Sequence, residues 1–225
     1  FFASNLEHQV AARIDFSQGF RQWQGLLSAI KVGAAARVRL RDFQARRFTF
    51  GFGGIGDIDD TAAPEQIFAP EHLGTAVEVR ENTNTADKYN ARQGVYAAYG
   101  RIDLPLSSKV SLVGGLRFEA AQQRLYSFDP QSADQPIAVA LDTYDPLPSL
   151  NLVAKLNAKM NFRAAVAMTV ARPEFRELAP FQFTDFFGGE LVQGNPQLQR
   201  TRIGSADLRW EWFLGGADVI ALSAY

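Results

Sequence analysis

Cysteine is absent, which excludes disulfides and thiolate-bound metals. Histidine is almost absent. His8 and His72 lie far apart, so neither a histidine metal cluster nor a histidine-based catalytic triad has its parts, and each reads as a packed ring rather than a ligand. An excess of one charge is also missing. Against 24 acidic residues stand 23 basic ones, for a net charge of -1, which gives no reason to expect a nucleic-acid partner. No apolar run approaches the roughly 20 residues of a membrane-crossing helix, and no signal peptide is visible. Gly-x-Ser-x-Gly, a phosphate loop and His-Glu-x-x-His are all lacking. The expectation is therefore a protein that is not an enzyme, with no catalytic residues, no metal and no cofactor. The chain opens on FFASNLEHQV and closes on VIALSAY, each in mid-pattern, which predicts a piece of a longer protein.

What the chain has in abundance is a period of two. From Ile30 to Arg41 the even positions are Ile30, Val32, Ala34, Ala36, Val38 and Leu40; the odd positions carry Lys31, Arg37, Arg39 and Arg41. Such alternation specifies a strand with one apolar and one polar face. It recurs in Leu6–Phe16, Val110–Phe118, Leu150–Leu156, Phe162–Val170 and Leu208–Trp212. Tyr89–Leu104 is a less distinct case, and Val219–Tyr225 begins an eighth strand. The connections at Gln18–Gly25, Pro105–Ser108, Asn157–Lys159 and Leu214–Asp218 are short. Those at Gly53–Lys88, Asp129–Tyr144 and Ala171–Arg202 are long, and the two kinds alternate.

Long strands, short turns at one end and long loops at the other describe an outer-membrane barrel, apolar toward lipid and polar within. The fold class expected is therefore all-β: an antiparallel up-and-down transmembrane β-barrel segment of about eight strands. A passive porin-like channel and a soluble β-sandwich binding module are the alternatives. Arg37, Arg39, Arg117, Arg163 and Arg209 would face the lumen and form charge ladders with Glu7, Asp15, Glu119, Asp207 and Glu211. Trp210, Trp212 and Phe213, just before a short turn, would form an interfacial girdle. Phe48, Phe50 and Phe52 keep the even parity, which suggests one strand projecting past the membrane.

Ligand contacts are expected in the long loops, where two groups combine arginine with aromatic rings. One is Arg46 with Arg47. The other is Arg172 and Arg176 followed by Phe181, Phe183, Phe186 and Phe187. The stretch TVARPEFRELAPF (Thr169–Phe181) also has a structural reading, which is favoured. Pro173 suits a first helical position, Phe175 and Leu178 can meet on one face of a turn, and Glu174 or Glu177 can pair with Arg172 or Arg176. In GFGGIGDIDD (Gly51–Asp60), the carboxylates Asp57, Asp59 and Asp60 read as a solvated loop tip rather than a calcium loop.

Several of these stretches resemble one known family. They are AAYGRIDLPLSSKVSLVGGLRFE (Ala97–Glu119), DPLPSLNL (Asp145–Leu152), MNFRAAVAMTVARPEFRELAPF (Met160–Phe181), GNPQLQRTRIGSADLRWEWF (Gly194–Phe213) and the following VIALSAY. The chain resembles the carboxy-terminal half of the barrel of TonB-dependent outer-membrane receptors. The resemblance implies a barrel of about 22 strands closed by a plug, residence in the Gram-negative outer membrane, and uptake of a small-molecule ligand energised through the TonB complex. Ligands of the family are ferric siderophores, haem, cobalamin or oligosaccharides. Residues 1–225 would then be a partial barrel domain. The plug, the TonB-contacting segment and the closing strands would lie elsewhere, and outer-membrane lipid, the plug and the remaining strands would be its partners.

Overall fold

A computed structural model of the chain describes residues 2–23, 25–53, 59, 61–132, 135–183 and 189–225. Among the described residues twelve strands form: β1 (Phe2–Arg21), β2 (Leu27–Arg46), β3 (Phe48–Phe52), β4 (Val77–Glu81), β5 (Lys88–Pro105), β6 (Val110–Phe128), β7 (Pro136–Asn157), β8 (Met160–Ala171), β9 (Gln182–Phe183), β10 (Val192–Gln193), β11 (Thr201–Gly215) and β12 (Asp218–Ala224). Two short helices, α1 (Pro64–Ile67) and α2 (Phe175–Leu178), and a 3₁₀ turn at Thr85–Asp87 lie in the long connections. Eight strands make one continuous antiparallel sheet in the order β1-β2-β5-β6-β7-β8-β11-β12. A sandwich needs two packed sheets, so that alternative falls. Among the described residues no helix is long and apolar enough to cross a membrane.

Register carries the parity of the sequence across the whole sheet. Arg39 opposes Gln9 and Gln93; Gln93 opposes Gln123; Glu119 opposes Asp145; Asn151 opposes Ala165; Asp207 opposes Ala165 from the other side; Arg209 opposes Ser223. Directly opposed residues share a face, so odd-numbered side chains lie on one face and even-numbered ones on the other. The even face exposes Val10, Ile14, Phe16, Leu116, Val166, Leu208 and Leu222. An apolar surface of that extent is tolerated only against lipid or a partner. On β2 it runs from Ile30 to Leu40, about 36 Å of strand, or about 25 Å along the normal at a tilt near 45°. That is the height of an outer-membrane apolar band.

Toward the long loops the apolar phase reverses. Phe43, Ala45, Tyr89, Ala91, Leu125, Ile137, Val139 and Leu141 are all odd-numbered, and there they form or flank a buried cluster with Phe175, Leu178, Ala179 and Phe181. Alternation persists through each strand while the buried face changes. This explains the indistinct faces of Tyr89–Leu104: its lower half turns apolar residues to lipid and its upper half turns them inward.

Three sequence-based expectations need correction. Phe48–Phe52 does not continue β2. The chain leaves the large sheet at Arg47, and β3 pairs with β4 in a separate hairpin. That hairpin is tied back by Arg46, whose guanidinium hydrogen-bonds Glu81 at 2.7 Å and, with the Thr83 hydroxyl, lowers its carboxyl from 4.5 to about 2. The connection after Asp129 is short, because β7 begins at Pro136 and its first residues are covered by the inner cluster. Trp210 and Trp212 share the outward face, but Phe213 opposes Val219 on the other. A bulge then precedes the positive-φ glycines Gly215 and Gly216 that close the turn.

Candidate functional site

TVARPEFRELAPF is the centre of the inner face at the long-loop end. It does not depart outward from the rim. After β8 ends at Ala171, the chain folds back over the odd face and buries Phe175 and Leu178 completely. Those two residues do meet on one face of a turn, as their spacing requires. Pro173 precedes the helix; the N-cap is Glu174, in a capping box with Glu177, whose carboxylate accepts from the Glu174 amide at 2.8 Å. The expected local pairs of Arg172 with Glu174 or Glu177 do not form. Arg172 instead bridges Glu119 at 2.8 Å and Asp145 at 3.1 Å, while Glu174 takes Arg39 at 2.9 Å.

Asp145 is the most committed of these groups. Its side chain is 1% exposed, and it receives Arg200 at 2.6 Å, Arg172 at 3.1 Å and Arg202 at 3.5 Å. Glu119 stands directly opposite on β6. Two carboxylates facing each other would repel, and Arg172 between them removes the conflict. The surroundings of Asp145 are set by the sequence D-P-L-P. Pro146 and Pro148 contribute no amide hydrogen, and pairing of β7 with β8 stops at Ser149. Above that point the strands part, and Arg172 and Arg200 reach Asp145 from the loop that joins β8 to β11. Neither the prolines nor Arg200 stood out in the sequence; a proline pair inside an alternating strand was the available signal.

More arginines hold the segment from the far side. Arg39 lies 4.5 Å and Arg41 5.3 Å from the Phe175 ring centre. Arg47 pairs with Asp87 at 2.8 Å, hydrogen-bonds the Gln182 carbonyl and lies 5.3 Å from the Phe181 ring. Phe181 in turn packs edge-on against Phe43. The buried amide of Gln123 donates to the Pro173 carbonyl at 2.9 Å.

The candidate residues are therefore distributed unevenly. Arg47, Arg172 and Phe181 belong to one inner cluster. Arg46 is exposed at the β3–β4 hairpin, with its guanidinium 4.9 Å from the Phe48 ring. Arg176 is exposed on α2. Phe183 lies in β9; Phe186 and Phe187, like Asp57 and Asp60, fall outside the described residues. Asp59 accepts from the amide and hydroxyl of Thr61. Arg37, Arg39, Arg117, Arg163 and Arg209 share the odd face. Their charge ladders form in part. Arg163 reaches across strands to Glu211 at 3.1 Å, and Arg41 reaches Glu7. Arg117–Glu119 and Arg209–Glu211 run along single strands. Arg37 has no ion pair among the described residues. His72 spends its ring nitrogen on the Gln66 and Ile67 carbonyls. No group of three or more metal-binding side chains gathers among the described residues.

Gly194 fixes the second half of the loop to the first. A Cβ there would overlap the Ala179 carbonyl and lie 2.7 Å from the Arg176 carbonyl oxygen, while the next amide, Asn195, bonds the Glu177 carbonyl at 2.6 Å. Gly194→Ala should therefore cost about 1–3 kcal/mol and loosen residues 189–200. Limited proteolysis should cut that loop faster in the variant. Gly51→Ala, where a Cβ meets nothing within 4 Å, should leave the cutting pattern unchanged.

Comparison with known proteins agrees with this architecture. A model of the outer membrane protein beta-barrel family matches residues 68–224. Among curated proteins none matches the sequence. Several solved structures share the fold, two outer-membrane receptors among them. The alcaligin outer membrane receptor FauA from Bordetella pertussis has a TM-score of 0.60 at 12% identity, over 98% of this chain and 29% of that one. The ferric-catecholate import receptor Fiu from E. coli has a TM-score of 0.55 at 12% identity, over 96% of this chain and 31% of that one. The chain thus spans less than a third of the length of either receptor. Its lipid-facing band and polar inner face place it in the Gram-negative outer membrane, and the chain belongs to the outer membrane protein β-barrel family.

Proposed function

We propose that the chain is one wall of a TonB-dependent receptor that actively takes up a scarce ligand across the outer membrane. The observation that carries this reading is the inner face. It is polar and arginine-rich along the band, then closes over at the long-loop end under α2. Of the two receptors compared above, one is named for alcaligin and the other for ferric-catecholate import, which favours a ferric siderophore over haem, cobalamin or an oligosaccharide. Residues 1–225 would form part of the barrel domain. In hydrocarbon, the outer edges of β1 and β12 need partner strands, which further strands of the same barrel would supply. A plug inside the barrel and a TonB-contacting segment complete the reading.

In this scheme Arg37, Arg39, Arg117, Arg163 and Arg209 line the path or face the plug. Arg46 and Arg176, with Phe183, Phe186 and Phe187, meet the ligand in the loops. Arg47, Arg172 and Phe181 act from beneath by fixing those loops. The experiment is uptake of a labelled ferric siderophore panel by cells producing the complete protein. Saturable uptake of at least one member should stop when TonB is deleted or the proton gradient collapsed. Uptake of the panel that is unsaturable and indifferent to TonB would instead establish a passive porin-like channel.

A further inference from the structure

The outward face holds a cationic pair that points away from the uptake path. Arg92 on β5 and Arg124 on β6 are directly opposed, so both side chains stand on the even face. Like charges in that relation destabilise a sheet unless something lies between them. They sit just beyond the apolar band, toward the long loops. Two residues down each strand lie Val38, Gly94, Gln122 and Asp142; four residues down, the row Ala36, Tyr96, Ala120 and Tyr144 is apolar with two tyrosines. Two residues up come Asp42, Asn90 and Tyr126.

The local acids are already engaged. Asp142 takes Arg124 at 2.7 Å, and Asp42 accepts from the Asn90 amide. Arg92 is exposed and has no ion pair among the described residues. Leu40, Asn90, Arg92, Arg124 and Tyr126 border a shallow depression of about 290 Å³, room enough for a phosphate group. Tyr126 is 61% exposed and stands two residues further toward the long loops.

We propose that Arg92 and Arg124 hold a phosphate on the headgroup of an outer-leaflet lipid, fixing that lipid against the barrel wall. Position decides the source. The pair faces outward, on the membrane side of the wall, at the depth where the apolar band gives way to polar side chains. An anion reaching it from the leaflet arrives with its acyl chains already against Leu40, Tyr96 and Tyr144. A guanidinium beside a phosphate makes charge-assisted, often bidentate hydrogen bonds.

The test uses the complete protein carrying this chain, purified in detergent, and a diphosphorylated glycolipid (lipid A) as probe, read by native mass spectrometry. The double variant R92Q/R124Q should bind lipid A about thirtyfold more weakly, at roughly one arginine contact's worth for each residue. The conservative R92K/R124K should keep most of the affinity. Dephosphorylated lipid A should bind wild type and both variants alike. Unchanged lipid A binding in R92Q/R124Q would overturn the proposal, as would an equal loss toward the dephosphorylated lipid. Displacement of lipid A by millimolar inorganic phosphate would show a free-phosphate site and overturn the lipid assignment.

Discussion

Asp145→Ala should destabilise the barrel by about 3–5 kcal/mol, the cost of breaking a buried ion pair from one side. The carboxylate is 1% exposed and is the shared partner of Arg172, Arg200 and Arg202. Removing it leaves Arg172 with Glu119 alone, Arg200 with no acid within reach among the described residues, and the fold-back of residues 172–178 without its main tether. Asp145→Asn keeps the shape but not the charge, so most of the loss should remain. Equilibrium unfolding of the complete protein in urea and detergent measures both. Asp103→Ala is the control, because its pair with Arg101 is open to solvent, at 41% and 53% exposure, and exposed pairs contribute about 0–1 kcal/mol. A cost at Asp145 no greater than at Asp103 would mean that the arginine clasp is ornamental and that packing of Phe175 and Leu178 alone holds the segment.

The sheet was legible because a period of two is local. Each strand states its own two faces, and register then has only one choice that keeps every apolar residue of the band on one side. The reversal of phase above the band was not legible. Whether Leu125 or Val139 is an inner or an outer residue depends on Phe175 and Leu178, dozens of positions away in sequence, arriving to cover them. The same distance hid the true partners of Arg172 and Glu174. Neighbours in sequence offered convenient charges, but a turn of four residues points them at the sheet, where Glu119, Asp145 and Arg39 already wait. The prolines of D-P-L-P mark where the ladder from β7 to β8 stops, although the ladder to β6 runs through both of them. The identity of the residues that reach into the break was a tertiary fact.

That reversal also changes where a charge on the outer face is costly. Val166 lies between Leu150 on β7 and Ala206 on β11, within the apolar band. Val166→Arg should cost about 2–4 kcal/mol, the figure for arginine near the midplane of a bilayer. Leu40 has the same parity and would pass for an equivalent site on sequence alone. Its cross-strand neighbours are His8 and Arg92, so it stands at the edge of the band. Leu40→Arg should therefore cost only about 0–1 kcal/mol, because the new guanidinium reaches the headgroups directly. On the inner face, Arg163→Ala removes an arginine that is 48% exposed and leaves buried Glu211 its second partner, Arg209, so it should cost about as little. Unfolding the complete protein from phospholipid vesicles places the three variants on one scale. Equal losses at positions 40 and 166 would mean that the band reaches higher than Leu40, and Arg92 would then be buried in hydrocarbon rather than standing among headgroups. Equal losses at 163 and 166 would undo the assignment of the odd face to the lumen.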